Sequence, residues 1–411
     1  MQELEEKYQR LRLSTGFLVV QVGVCPYSWD DECGSFVAHP YNFYVFPKEF
    51  RGQDRRFLCQ TRCINFLSES NLDFNRVFKS GIPFMNRDQE TNARACPPLN
   101  GALLDSIRRQ VVGFLSDSSQ ASTVLPAMSN YHRKLSYEEL AVTFKDAVTT
   151  DKAMVNGELC IRVSRTKHWG SMGSDEQSIW RTVNARVKGA DEREIDEAVG
   201  FRHVIDLLSE CKKPVVGHNM LLDLVQLHAH FVGEPPEHLA GFSAMVHERF
   251  GTVVDTKYVI SAVPSLAKHF SGGTRLDHVF KTVHQKPFMH PAIRIALGHE
   301  RYDDSKGQHL HEAGYDAYIS GYALLRLGHF VMMESHDAPQ QPLPKNTTGL
   351  TPRLRDTATF RPYSLLWDRL SHVSNRLLTV GMSSANAAAC VHLTASGGDV
   401  PMPATARPEA G

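Results

Sequence analysis

The chain has 411 residues, is 42% hydrophobic and balances 45 basic against 45 acidic side chains, so it can bury a large core and, by length, form two or three domains. The balance excludes a global field that draws in nucleic acid; such binding would have to rest on local basic patches and a shaped cleft. No run reaches the roughly 18 to 20 apolar residues that span a bilayer, the N-terminus has no apolar signal core, and the eight cysteines lack C-x-x-C pairing. The expectation is a protein of nucleus and cytoplasm with reduced thiols, no zinc and no membrane partner.

Residues 17–25 (FLVVQVGVC) are apolar on both faces, as a buried strand is, and 41–46 (YNFYVF) form a second, aromatic-rich strand closed by Pro47. The turn-like stretch 29–34 between them predicts an antiparallel hairpin. A short helix follows, with Asp73 as N-cap, Phe74, Val77 and Phe78 on one face and Gly81 as the stop, and 103–115 is a further helix. At about Tyr131 the character changes. Ser136-Tyr137-Glu138-Glu139 reads as a capping box opening a short helix, and Leu159, Ile161 and Val163 alternate with Cys160 and Arg162 as in a half-exposed strand, together a small inserted domain.

A charged run through Arg181, Arg186, Lys188 and Arg193 leads into one helix carrying Ile195, Ala198, Val199, Val204, Ile205 and Leu208 at helical spacing. Residues 213–217 form a strand feeding a helix that bears Asp223, 251–255 form a strand ending in Asp255, and the helix over 314–332 closes the core. Strand–helix alternation of this kind indicates a layered α/β fold. Beyond it, 339–352 reads as a linker, 365–380 as one amphipathic helix, and the Ala/Ser/Gly/Pro-rich end as disordered.

Two segments carry chemistry: Gly217-His218-Asn219-Met220-Leu221-Leu222-Asp223, and His311-Glu312-Ala313-Gly314-Tyr315-Asp316. On the first helix Asn219, Asp223, Gln226 and His230 make a narrow polar stripe among leucines and valines; periodicity alone favours a solvated face over a site. A buried carboxylate there would be costly unless a cation compensated it. His311 and Asp316 lie about 140° apart on a regular helix. They reach one cleft only if His311 sits in the loop before the helix and Gly314 lets backbones approach closely. A histidine so placed can take a proton from an attacking water. Taken alone, the pair reads first as a capping histidine and a surface acid. Asp255 reads best as a strand-end cap.

The conjunction is more specific. EEKYQRL (5–11), FLVVQVGVC, YNFYVFPK, DFNRVFKSGIP, EAVGFRHVI (197–205), VVGHNMLLDL, VVDTKYV and HEAGYDAYISGYAL run in one order from near Met1 to about Leu325. With them the chain resembles the poly(A)-specific ribonuclease family of deadenylases, within the DEDD exonucleases of the RNase H-like fold. The resemblance implies an α/β exonuclease core, a mixed sheet with flanking helices, over 1–125 and 193–336. It also implies a small inserted nucleic-acid-binding-like α/β domain over 126–192, with linker, helix and tail over 337–411. The function it implies is 3′–5′ exoribonuclease action on poly(A) RNA and mRNA 3′ ends, releasing AMP, by two Mg²⁺ ions. Asp223 and Asp316 become metal ligands, His311 the general base, and Asn219, Leu222 and Lys257 substrate contacts, with a homodimer as a further family expectation. The competing readings are a non-catalytic RNA-binding relative and a small-RNA 3′-end trimmer.

The family's Asp-x-Glu pair, expected on a first strand at the sheet centre, is not found in residues 1–14, where Glu3, Glu5 and Glu6 read as helix-surface charges. A sequence that begins past that strand is the expectation, ahead of direct closure of the sheet or a strand donated by a partner. Two carboxylates balance half the charge of two divalent ions, so the ligand set is incomplete, and weak metal binding with little or no turnover is expected.

Overall fold

The computed structural model describes residues 2–51, 54–95, 100–173, 175–303, 309–336 and 390–395. Two compact units divide the chain: one comprises 1–48, 55–87 and 200–411, the other 49–54 and 88–199. The first opens with α1 (Gln2–Arg12), acidic at its start and basic at its end as the helix dipole favours. The apolar run then forms β1 (Val19–Cys25), buried along its whole length. The segment expected to be a simple turn makes its own hairpin, β2 (Tyr27–Asp30) and β3 (Ser35–Ala38). There Asp30 Oδ1 accepts the N–H groups of Glu32 and Cys33 at 3.0 and 3.1 Å, and Gly34 takes φ +60°. Strand β4 (Tyr41–Tyr44) pairs antiparallel with β1, Gln21 opposite Tyr44. After α2 (Thr61–Glu69), Asp73 caps α3 (Phe74–Ser80) by accepting the Arg76 N–H at 3.0 Å. Gly81 ends α3 through close approach, since a Cβ there would lie 2.3 Å from Val77 O.

The second unit spans more than the 126–192 read from sequence. After α4 (Arg87–Ala95), helix α5 (Gly101–Ser116) buries Leu104, Ile107, Val111 and Leu115 in the same core as Ile161 and Val163. That core is completed by β5 (Ser122–Val124), α6 (Asn130–Thr143), β6 (Val148–Val155), β7 (Glu158–Arg165) and α7 (Glu176–Val199), with the antiparallel sheet ordered β5-β7-β6. Ser129, not Ser136, caps α6. Ser136 is buried inside it, its hydroxyl donating back to His132 O at 2.7 Å.

The helix expected across 195–208 is two. Gly200 takes φ +47° between α7 and α8 (Arg202–Glu210), a left-handed residue that ends one helix before the next begins. The first unit then continues through β8 (Val215–Gly217), α9 (Leu221–Phe231), α10 (Leu239–Phe250), β9 (Val253–Asp255), α11 (Thr256–Ala262), α12 (Pro264–Ala267), α13 (Leu276–Val283), β10 (Ile293–Ile295) and α14 (Ala313–His336). Strands β8 and β9 pair in parallel, as do β10 and β3. Glu5 of α1 is not a plain surface charge: its carboxylate accepts the Leu239 N–H at 3.2 Å, capping α10.

Residues expected to be disordered supply β11 (Cys390–Ala395), which pairs antiparallel with the edge of β1 opposite β4, Val22 against Leu393 and Cys25 against Cys390. This strand also lies against β8, α9 and α14. On the β1 side, the sheet position flagged as lacking a strand is thus taken by a segment of the chain itself, with no ladder to β8 among the described residues. The expected linker at 339–352 and helix at 365–380 fall outside the described residues. No described helix is long and apolar enough to cross a membrane.

Candidate active site

Helix α14 starts where β1 and β4 offer it acceptors. Gln21 Oε1 takes the Ala313 N–H at 3.4 Å and Asn42 Oδ1 the Gly314 N–H at 3.1 Å, meeting two of the amides that a helix start leaves open. The approach admits no side chain: a Cβ on Gly23 would lie 1.9 Å from Ala313 O, and one on Gly314 2.9 Å from Tyr41 O. His311 sits before the helix at φ +72°, and its N–H points to Asp316 Oδ1 at 3.4 Å. The left-handed turn thereby brings together two residues that a continuous helix would hold apart. Asp316 is buried. Glu312, accepting from Arg301 and the Tyr302 hydroxyl and lying 3.6 Å from His309, ties the turn down from behind.

The His311 ring meets Phe66 edge-on at 4.8 Å between centroids. Although one side of it is open, desolvation by surrounding protein and then the Arg275 guanidinium hold its pKa below the ordinary value, against the pull of Asp277. A neutral imidazole able to accept a proton is what this environment favours. Beside it lies a cavity of about 360 Å³ lined by Gln21, Tyr44, Leu67, Asn71, His309 and His311.

In the other motif, β8 ends at Gly217, where a Cβ would run into Met220 Sδ at 2.2 Å. Asn219 takes φ +62° and its Oδ1 accepts from Lys257 Nζ at 3.3 Å, so these two expected contacts stand together. Asp255 is fully buried and caps α11, accepting the N–H groups of Lys257 at 2.7 Å and Tyr258 at 3.4 Å, and it also accepts Met220 N–H at 3.3 Å across the turn. The strand-end reading of Asp255 is therefore the correct one. Asp223 is buried in the first turn of α9 and Leu222 is half-buried beside it. The polar stripe is neither a solvated face nor wholly a cleft. Fully buried Gln226 donates to Ser14 O at 2.8 Å, and His230 Nε2 lies 3.0 Å from Phe17 O, so both fasten α9 to the segment ahead of β1.

His218 escaped the sequence reading, although it stands inside the motif. Its Nδ1 lies 2.8 Å from Thr256 Oγ1 and its Nε2 2.7 Å from Thr274 O, so it bridges two loops distant in sequence. The only advance signal was a histidine flanked by glycine and asparagine at a strand end, and nothing in the spacing named its partners.

Buried Asp223 and Asp316 have the donor chemistry of a hard divalent cation. Yet among the described residues no group of three or more His, Cys, Asp or Glu side chains is drawn together to hold a metal ion. The two carboxylates and His311 do not make a full two-metal ligand set.

The profile of the CAF1 family ribonucleases matches residues 1–324. The chain belongs to the CAF1 ribonuclease family. The mixed α/β architecture is that of the family's RNase H-like core. This CAF1 chain is similar to the poly(A)-specific ribonuclease PARN of Danio rerio, 32% identical over 362 residues that cover 80% of it and 52% of the relative. It is similar too to PARN of Homo sapiens, at 29% over 358 residues, 80% and 54%. A pre-piRNA 3′-exonuclease trimmer of Bombyx mori is 26% identical over 350 residues, 80% of this chain and 63% of that one. The chain spans about half the length of the PARN relatives it matches.

Proposed function

We propose that this CAF1 chain acts on RNA 3′ ends as a poly(A)-directed 3′–5′ exoribonuclease. The observation that carries the reading is the left-handed His311 turn, whose backbone N–H points to the buried Asp316 at the start of α14, with an imidazole of lowered pKa on the same residue. In this reading His311 accepts the proton of the attacking water. Asn219 and Lys257, already paired, meet the substrate with Leu222 beside them, Lys257 as a point charge on phosphate. Mg²⁺ is the cation the reading implies, with Asp223 and Asp316 as its ligands; bound there it would offset charge building on the phosphoryl oxygens. Two carboxylates alone leave that cation under-ligated, so turnover is expected to be slow and to need high Mg²⁺.

The test is AMP release from labelled poly(A) with Mg²⁺, comparing the unaltered chain with Asp316→Ala and His311→Ala. Slow release that drops at least about 100-fold in both variants supports the assignment. A rate untouched by Asp316→Ala refutes it. Among the described residues no third ligand stands with these carboxylates, which favours, as the second reading, an RNA-binding protein without turnover that would hold oligo(A) and release no AMP. The trimmer likeness adds one substrate comparison: preference for a small structured RNA over poly(A) would shift the reading to trimming.

A further inference from the structure

The bridge made by His218 has a consequence for charge. Its Nδ1 partner, Thr256, immediately precedes Lys257, and its Nε2 partner, Thr274, immediately precedes Arg275. Because a carbonyl only accepts, Nε2 carries a proton toward Thr274 O. One imidazole therefore fixes the spacing of two backbone segments, each of which places a cation one residue further on. The loop reaching Thr274 can come this close because Gly273 takes φ +115° and Gly272 packs where a Cβ would lie 2.9 Å from the His278 ring.

Lys257 is turned onto Asn219. Arg275 has a different disposition. Its Nε donates to Asp277 Oδ1 at 3.1 Å, and its side chain is 82% exposed. Its two terminal nitrogens make no hydrogen bond among the described residues, so the outer edge of the fork is left facing solvent. An ion pair this exposed contributes little to stability, but it orients the guanidinium. Thr274, the residue before it, is bound to His218, which directly precedes Asn219 in the chain, so the arm starts beside the 217–223 motif.

We propose that Arg275 is a substrate-binding residue, a guanidinium fork for an RNA phosphate, held at a fixed distance from Lys257 by the His218 bridge. This rests on the exoribonuclease reading for its ligand, a single-stranded RNA 3′ end. A planar fork suits two oxygens of one phosphate, as Lys257 does not.

The experiment uses the full chain and 5′-fluorescein-labelled oligo(A), without divalent ions, so that binding is read apart from turnover. Fluorescence anisotropy is followed from 50 to 300 mM salt. Arg275→Ala is expected to weaken binding about 10-fold at low salt and to lower the slope of log Kd against log salt by about 0.7 to 1, one phosphate contact. Arg275→Lys is expected to keep the slope and recover part of the affinity. Lys268→Ala, an exposed lysine of the first unit paired with Glu334, is expected to leave the slope unchanged. Being exposed, Arg275 can be replaced without loss of fold, checked by an unchanged melting curve. If the unaltered chain binds oligo(A) and Arg275→Ala leaves the slope where it was, the inference fails while the exoribonuclease reading stands. If the unaltered chain does not bind oligo(A), both fail.

Discussion

Gly314 shows how much of this site depends on the absence of one carbon. Its backbone is clamped between β4 and Tyr302, and a methyl group there would lie 2.8 Å from Asn42 Cβ and 2.9 Å from both Tyr41 O and the Tyr302 hydroxyl. Two of these atoms belong to the main chain or sit next to it and cannot swing away. Gly314→Ala therefore has to push α14 off β4, breaking the Gly314–Asn42 hydrogen bond and moving Asp316 from the His311 N–H. Overpacking of this kind costs about 1 to 3 kcal/mol. The expected result in urea unfolding is a stability lowered by that amount at unchanged m-value, with AMP release lost beyond what the stability change explains. A variant as stable and as active as the parent would show that the clamp is looser than drawn. The helix interior already prefers alanine to glycine, so propensity alone predicts the opposite sign, which makes the measurement decisive.

Among elements, β11 is the one whose position the sequence did not disclose. Its register sets residue 25 opposite residue 390, and both are cysteines. Directly opposed residues in an antiparallel pair have Cα atoms about 4.5 to 5.5 Å apart, inside the range a disulfide spans. Treatment with diamide, which takes up the two electrons and two protons of the thiol pair, is expected to give a Cys25–Cys390 crosslink visible in a non-reduced peptide digest and absent from Cys390→Ser. A digest showing Cys25 joined elsewhere, or not at all, would overturn this register. What was legible before the structure follows the same division between local and distant. The strand at 19–25, the Asp73 cap and the role of Gly314 were readable because each rests on a pattern or a steric need within a few residues. The His218 bridge, the fastening of Gln226 to Ser14 and the capping of α10 by Glu5 were not, because each joins positions 38 to over 200 residues apart. The break at Gly200 was missed for another reason: apolar spacing continued through it, and the pattern outweighed the glycine.

For the first unit as a whole, two titrating groups, fully buried Asp255 and half-buried His230, pull stability in opposite directions over one pH range. Crowded protein around His230 pushes its pKa from 6.5 down to about 4, so the fold favours the neutral ring. Its contribution is complete above pH 6.5 and is lost as pH falls toward 4. Burial pushes Asp255 from 3.8 up to about 6, outweighing the backbone N–H groups of Asn219, Lys257, Met220 and Tyr258 that act to lower it. The fold there favours the protonated acid, so its contribution is complete below about pH 4 and is lost as pH rises through 6. Each shift is on the order of 3 kcal/mol at about 1.4 kcal/mol per unit, and between pH 4 and 6 the two slopes oppose each other. These two groups therefore cancel in the parent chain, and single substitutions expose what each contributes. His230→Gln keeps a donor for Phe17 O while removing the titration, so its stability relative to the parent should rise as pH is lowered from 6 to 4. Asp255→Asn removes the opposite term, and its relative stability should fall over the same interval. Urea midpoints at pH 4.5, 5.5 and 6.5 for the three proteins decide the matter: slopes of the same sign in both variants would mean that one of these groups does not titrate as its surroundings dictate.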